Sequence, residues 1–77
     1  MRRRVLHRRY GRSARLDRVD AIMRARDFWP RVEALLVKAR ARGDTALEDV
    51  CYAALHERAS GLIGFATRVC AASLSVE

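Results

Sequence analysis

Apolar residues recur at intervals of three and four along most of the chain, which is the spacing of one face of an α-helix. The positions that follow this spacing are Leu16, Val19, Ile22, Met23, Val32, Leu35, Leu36, Ala39, Leu47, Val50, Cys51, Ala54, Leu55, Leu62, Phe65, Ala66 and Val69. The phase of the pattern breaks at Phe28-Trp29-Pro30, because Pro30 disfavours a helical Trp29 and suits the first turn of a new helix. The pattern therefore predicts one helix at about 16–27 and a second at about 30–42.

The second predicted helix ends at Gly43, since glycine often follows the last helical turn in the left-handed conformation. Thr45 and Glu48 have the spacing of a capping box, which marks the start of another helix. From there the apolar positions keep one phase through Gly61. We therefore predict one long helix at about 45–74, and the alternative is two helices broken at that glycine.

These elements predict an all-α fold, arranged as a kinked antiparallel helical hairpin. The large apolar side chains expected to anchor its core are Phe28, Trp29, Leu62 and Phe65. Arg58 falls within the apolar stripe of the long helix. We expect it to extend to the edge of the stripe, to pair with Glu33 or Asp27, or to contact a protein partner.

The chain has 77 residues, of which 51% are hydrophobic, and this is enough for one small domain. The predicted long helix is apolar on more than one side, and such helices are usually buried on several sides. About sixty residues rarely enclose that much surface, so we predict a homodimer or docking on a larger protein complex. The residues assigned to this interface are Tyr52, Arg58, Ile63 and Cys70.

Charge is segregated along the sequence. Residues 1–15 contain seven arginines and no acidic residue, and the rest of the chain holds nine basic and nine acidic residues. We therefore divide the protein into a flexible Arg-rich N-terminal arm, residues 1–15, and a small helical domain, residues 16–77. The residues predicted to contact nucleic acid are Arg2, Arg3, Arg4, Arg8, Arg9, Tyr10, Arg12 and Arg15. Arginine binds phosphate bidentately and tyrosine stacks on exposed bases, but phosphate contacts do not read sequence.

The two cysteines, Cys51 and Cys70, are nineteen positions apart. On one continuous helix they would be separated by roughly 28 Å, which excludes an internal disulfide. Two unpaired cysteines on apolar positions favour a reducing compartment. No secretion signal or segment long enough to span a bilayer is evident, so we expect a cytoplasmic protein.

The sequence contains no pattern typical of a metal site or a catalytic site. Cys51 and His56 lie on different sides of a helix, and no closely spaced cysteine or histidine pair occurs. The acidic residues are spread at spacings typical of solvated faces, and a fold this small offers little room for a deep cleft. We expect no enzyme activity, no cofactor, no metal and no small-molecule substrate.

The sequence thus predicts a non-catalytic accessory protein that binds DNA or RNA through the arm, independently of sequence, while the helical domain dimerises or docks on a complex. Membrane binding is not expected. The alternative is a small protein–protein interaction module, such as a subunit, adaptor or inhibitor, which acts through its helical surface. The choice between DNA and RNA stays open.

Overall fold

A computed structural model describes residues 17–76, which form helices and connections without any strand. The first helical segment, α1, comprises residues 17–24 of this range. It is followed by α2 (Phe28–Arg42), α3 (Thr45–Ala59) and α4 (Phe65–Ser75). The prediction of an all-α fold is confirmed for this part of the chain. The arm predicted for residues 1–15 lies outside the described residues.

Helix α2 forms one side of the core. Its buried residues are Phe28, Val32, Leu35 and Ala39, which follow one face at intervals of three and four. The helix begins two residues earlier than predicted, and Pro30 stands in its first turn, where a missing N–H group costs no helical hydrogen bond. The first helix was predicted to reach residue 27 and the kink to lie at Phe28-Trp29-Pro30, whereas α1 ends at residue 24, a turn occupies residues 25–27, and these three residues belong to α2.

Helices α3 and α4 complete the core with small side chains. The buried residues of α3 are Cys51 and Ala54, and those of α4 are Ala66, Thr67, Cys70, Ala71 and Leu74. Helix α1 covers the core through Val19, Ile22 and Met23, as its apolar spacing predicts. The fourth residue of that predicted face, Leu16, lies outside the described residues. Pairs of helices among α2, α3 and α4 all contact one another.

The prediction of one long helix at 45–74 is wrong, and the alternative of a break at Gly61 is confirmed. Gly61 adopts a φ of 74°, in the left-handed region that glycine enters without a steric penalty. Its N–H donates to the Arg58 carbonyl, and the Leu62 N–H donates to the Glu57 carbonyl. These two bonds form a Schellman motif, which satisfies the last carbonyls of α3 and ends the helix. The break replaces the predicted long helix with the separate helices α3 and α4.

The break also changes which large side chains form the core. Phe28 is buried as predicted, and the half-buried Trp29 packs edge-on against it with ring centroids 4.8 Å apart. Leu62 and Phe65 are exposed, so assigning them to the core was wrong. Leu62 and Phe65 continue the apolar spacing of α3. They are nevertheless exposed, because α4 is a separate helix that buries other residues.

The connection between α2 and α3 is only two residues long. Gly43 ends α2 with a φ of 70°, which confirms the predicted end. The capping box assigned to Thr45 is wrong by one position, because Asp44 is the N-cap and its Oδ1 accepts from the Leu47 N–H at 3.1 Å. Arg40 and Glu48 then form an ion pair of 3.3 Å that links the two helices.

Candidate functional site

Three large apolar side chains project into solvent at the connection between α3 and α4 and at the first residue of α4. Leu62, Ile63 and Phe65 are 66%, 64% and 82% exposed. Single exposed apolar residues are common on protein surfaces, but three large ones within four consecutive positions form a local apolar patch. We call residues 62–65 the apolar loop, and it is the strongest candidate for a binding site among the described residues.

The carboxylate of Glu57, a residue of α3, holds the end of the apolar loop that leads into α4. It accepts hydrogen bonds from the backbone N–H groups of Gly64, Ala66 and Thr67 at 3.0, 3.1 and 2.8 Å. The buried hydroxyl of Thr67 donates to the same carboxylate. The N-cap residue of α4 is Gly64, which has no side chain, so Glu57 supplies from α3 the acceptor that an N-cap normally provides.

The contacts of Glu57 lower the pKa of its carboxylate and leave little room for a side chain at position 64. The hydrogen bond from Thr67 and the backbone bonds favour the ionised carboxylate and hold the pKa of Glu57 below its usual value, against a smaller opposing effect of burial. A Cβ atom added at Gly64 would stand 2.5 Å from the Glu57 Oε2, which is closer than van der Waals contact allows. An added methyl group would therefore displace the end of the Glu57 side chain, and glycine leaves the carboxylate room beside the backbone.

Arg58 lies four positions before the apolar loop in sequence and contacts Trp29, which packs against the core. Its guanidinium carbon stands 5.0 Å from the centre of the Trp29 ring, within the range of a cation–π interaction. The residue is exposed overall, and its guanidinium group lies over the indole ring. The three predicted alternatives for Arg58 were extension to the edge of the stripe, pairing with Glu33 or Asp27, and contact with a protein partner; the structure places an aromatic ring against the arginine.

The other residues predicted for the interface lie in different environments. Ile63 belongs to the apolar loop, and Tyr52 is 48% exposed on α3. Cys70 is completely buried, so its side chain cannot reach a partner while α4 is packed on α3. We therefore no longer place Cys70 in an interface.

Cys70 instead contacts the second cysteine of the chain. The thiols of Cys51 and Cys70 lie close enough for each to affect the pKa of the other, and both cysteines are free. Burial raises the pKa of Cys51, and burial together with the neighbouring Cys51 raises the pKa of Cys70 to about 12. The predicted separation of roughly 28 Å assumed one continuous helix and is wrong, because the break at Gly61 folds α4 back onto α3.

The eight residues predicted to bind nucleic acid all lie in residues 1–15, outside the described residues. Within residues 17–76, no group of three or more histidine, cysteine or acidic side chains is arranged to hold a metal ion. No helix in the same range is both long and apolar enough to cross a bilayer.

Comparison with known proteins yields no relative: no family model, curated protein or solved structure matches the chain. The site therefore has to be interpreted from its own residues. Sequence reasoning missed the role of Glu57, which was assigned to a solvated face. The signal that identifies it is the pair of glycines at 61 and 64, since a helix that starts at a glycine needs an acceptor from elsewhere.

Proposed function

We propose that this protein is a non-catalytic accessory protein that binds nucleic acid through the arginines of residues 1–15, while its helical domain dimerises or docks on a larger complex. The observation that supports this proposal is the segregation of charge. All of the net charge of +7 is accounted for by the seven arginines of that segment. A cationic block of this density attracts polyanions, and guanidinium groups suit phosphate.

The apolar loop supports the second part of the proposal. A small protein that acts alone in water gains nothing from holding Leu62, Ile63 and Phe65 in solvent. The loop is anchored on both sides, by the Schellman motif at Gly61 and by the carboxylate of Glu57. A surface held in one conformation loses little conformational entropy when a partner covers it.

A salt series on the full chain tests the first part. Binding to DNA and to RNA is measured for the natural chain, for a variant with all seven arginines replaced by glutamine, and for a variant with the same positions replaced by lysine. If every arginine meets a phosphate, the logarithm of affinity falls with the logarithm of salt concentration with a slope of about −6. We expect the glutamine variant to lose both binding and slope.

The lysine variant is the matched control, because it keeps the charge and removes the planar donor. We expect it to retain the slope and to bind more weakly, since lysine does not bind phosphate bidentately. Equal weak binding by all three proteins, with no dependence on salt, would contradict a nucleic-acid function for residues 1–15.

The second candidate function is a protein–protein interaction module, which the apolar loop favours directly. Here the helical surface carries the function and nucleic acid has no part in it. Replacing Ile63 and Phe65 by serine removes apolar surface without touching the core, since both side chains are exposed. Replacing Val37, which is 65% exposed on α2, by serine is the matched control.

Sedimentation at micromolar concentration separates the outcomes. If the apolar loop mediates self-association, the natural chain and the Val37 variant sediment above the monomer mass of 8.8 kDa and the double variant sediments at it. If all three proteins sediment as monomers, the loop does not form a homodimer interface. Docking on another protein is then the part of the proposal that remains to be examined.

A further inference from the structure

The only two cysteines of the chain meet inside the core. Cys51 on α3 and Cys70 on α4 are both 0% exposed and belong to one cluster of buried residues. The Cys70 Sγ lies 3.9 Å from the carbonyl oxygen of Val50, the residue before Cys51, and each thiol affects the pKa of the other. Each cysteine thus has the other as its neighbour across the interface between two helices.

The residues around this contact allow the helices to approach closely. The buried positions nearest to the cysteines along α3 and α4 are Ala54, Ala66, Thr67, Ala71 and Leu74, and all of these except Leu74 carry small side chains. Small side chains in a helix interface reduce the distance between the two backbones. A disulfide needs its Cα atoms within about 7 Å, and an interface in which the Cys70 Sγ contacts the residue before Cys51 favours such an approach.

We propose that Cys51 and Cys70 form a reversible disulfide within one chain by exchange with a small disulfide such as oxidised glutathione. One cysteine thiolate attacks a sulfur of glutathione disulfide, so that the bond between the two glutathione sulfurs breaks and one glutathione thiolate leaves. The second cysteine thiolate then attacks the protein sulfur of this mixed disulfide and releases the other glutathione. Two cysteine thiols are oxidised and one glutathione disulfide is reduced, with both thiol protons passing to the released glutathione.

Exchange requires the helices to separate briefly. Only the thiolate is nucleophilic, and the raised pKa of both thiols leaves little thiolate while α4 is packed on α3. Glutathione is also too large to reach two fully buried sulfurs. The reaction therefore proceeds through an opened state of α4, which makes it slow, whereas the position of the equilibrium is set by the folded state.

The disulfide links the helices on both sides of the apolar loop. It closes a loop that contains residues 52–69, including Glu57 and the whole connection between α3 and α4. Because it restricts the unfolded chain, we expect the oxidised protein to melt roughly 10 °C above the reduced protein. The prediction concerns a covalent state of the helical domain and holds whether or not residues 1–15 bind nucleic acid.

The experiment is a titration of the full chain with glutathione buffers of graded redox ratio, carried out once in native buffer and once in denaturant. Free thiols are trapped with a maleimide in denaturant after acid quenching, and the products are resolved by mass. We expect a monomer that lacks two hydrogen atoms and carries no maleimide. Half-oxidation in native buffer should occur at a glutathione ratio at least about tenfold more reducing than in denaturant, since the fold holds the thiols together.

If half-oxidation occurs at the same glutathione ratio in native buffer and in denaturant, the proposal is overturned, because the folded structure then does not favour the disulfide. Oxidation that yields only glutathione adducts or dimers linked between chains would also overturn it. Cys51→Ala and Cys70→Ala are the matched controls. Neither variant is expected to yield a monomer that lacks two hydrogen atoms and carries no maleimide. Should a variant fail to fold, the comparison of native and denatured natural chain still decides the question.

Discussion

The connections that follow α2 and α3 begin in the same way and end differently. Each contains a glycine of positive φ, Gly43 or Gly61, in a Schellman motif that ends the preceding helix. After Gly43, the next residue caps the following helix with its own side chain. After Gly61, three residues pass before α4 begins, and its acceptor is Glu57 on the preceding helix. A locally capped connection can be short and polar, whereas remote capping leaves a loop free to present apolar side chains.

The strongest test of this difference compares the two caps. Asp44 accepts one backbone hydrogen bond, and Asp44→Ala should lower the free energy of unfolding by about 1 kcal/mol. Glu57 accepts three backbone bonds and one from the Thr67 hydroxyl, so Glu57→Ala should lower it further. Urea unfolding followed by circular dichroism measures both. A smaller loss for Glu57→Ala than for Asp44→Ala would show that α4 does not depend on the remote cap.

A substitution at Gly64 tests the close approach that the remote cap requires. In Gly64→Ala the added methyl group displaces the Glu57 carboxylate, while the backbone at φ −115° accepts alanine without strain. We expect a loss of stability smaller than that of Glu57→Ala, because the displaced carboxylate keeps some of its partners. Ser60→Ala, at an exposed position in the same connection, is the control and should be nearly neutral. Thermal unfolding of the two variants is the measurement.

Acid should weaken the connection through Glu57. Its pKa in the folded protein lies below the usual value of 4.5, so the unfolded chain takes up the proton first as the pH falls. The stabilising effect is complete above about pH 4.5 and is lost as the pH falls through the lowered folded pKa. The free energy of unfolding of the natural chain, minus that of Glu57→Gln, isolates this carboxylate and should decrease below about pH 4.5. A difference independent of pH would mean that the charge of Glu57 contributes nothing.

The smallest effects are expected where the two connections are alike. Gly43→Ala and Gly61→Ala each place a Cβ in the left-handed region, with open space around it. Each should cost about 1 kcal/mol, because the penalty comes from the backbone alone. Chemical unfolding of the pair provides the measurement. A much larger loss for one glycine would show that its connection is constrained by more than its backbone conformation.

Local signals predicted the first half of the described fold well. The face formed by Val32, Leu35 and Ala39 follows from helical spacing, and Gly43 marks the end of α2 because no other residue adopts its conformation as readily. These features depend on neighbours within one turn. They are therefore visible in the sequence without knowledge of the rest of the chain.

The second half of the fold shows the limit of periodicity. The apolar phase of α3 continues through Leu62 and Phe65 by coincidence, because a connection of five residues happens to preserve the count. The apolar spacing did not reveal that Gly61 ends α3 or that Glu57, within α3, caps the start of α4. The contact between the two cysteines depends on that break, so no argument from a continuous helix could place it. Facts of this kind arise from packing between elements that are distant in sequence.

The contact between Arg58 and Trp29 makes the fluorescence of Trp29 a natural probe of this end of the protein. Trp29 is the only tryptophan, so any change in indole emission comes from one position. Its ring is half-buried and carries a cation 5.0 Å from its centre, and that cation belongs to the residue four positions before Leu62. A partner that covers the apolar loop and moves Arg58 alters the field at the indole and shifts its fluorescence. Binding at this end of the molecule can therefore be followed in the unlabelled natural chain by its tryptophan fluorescence, which comes from Trp29 alone.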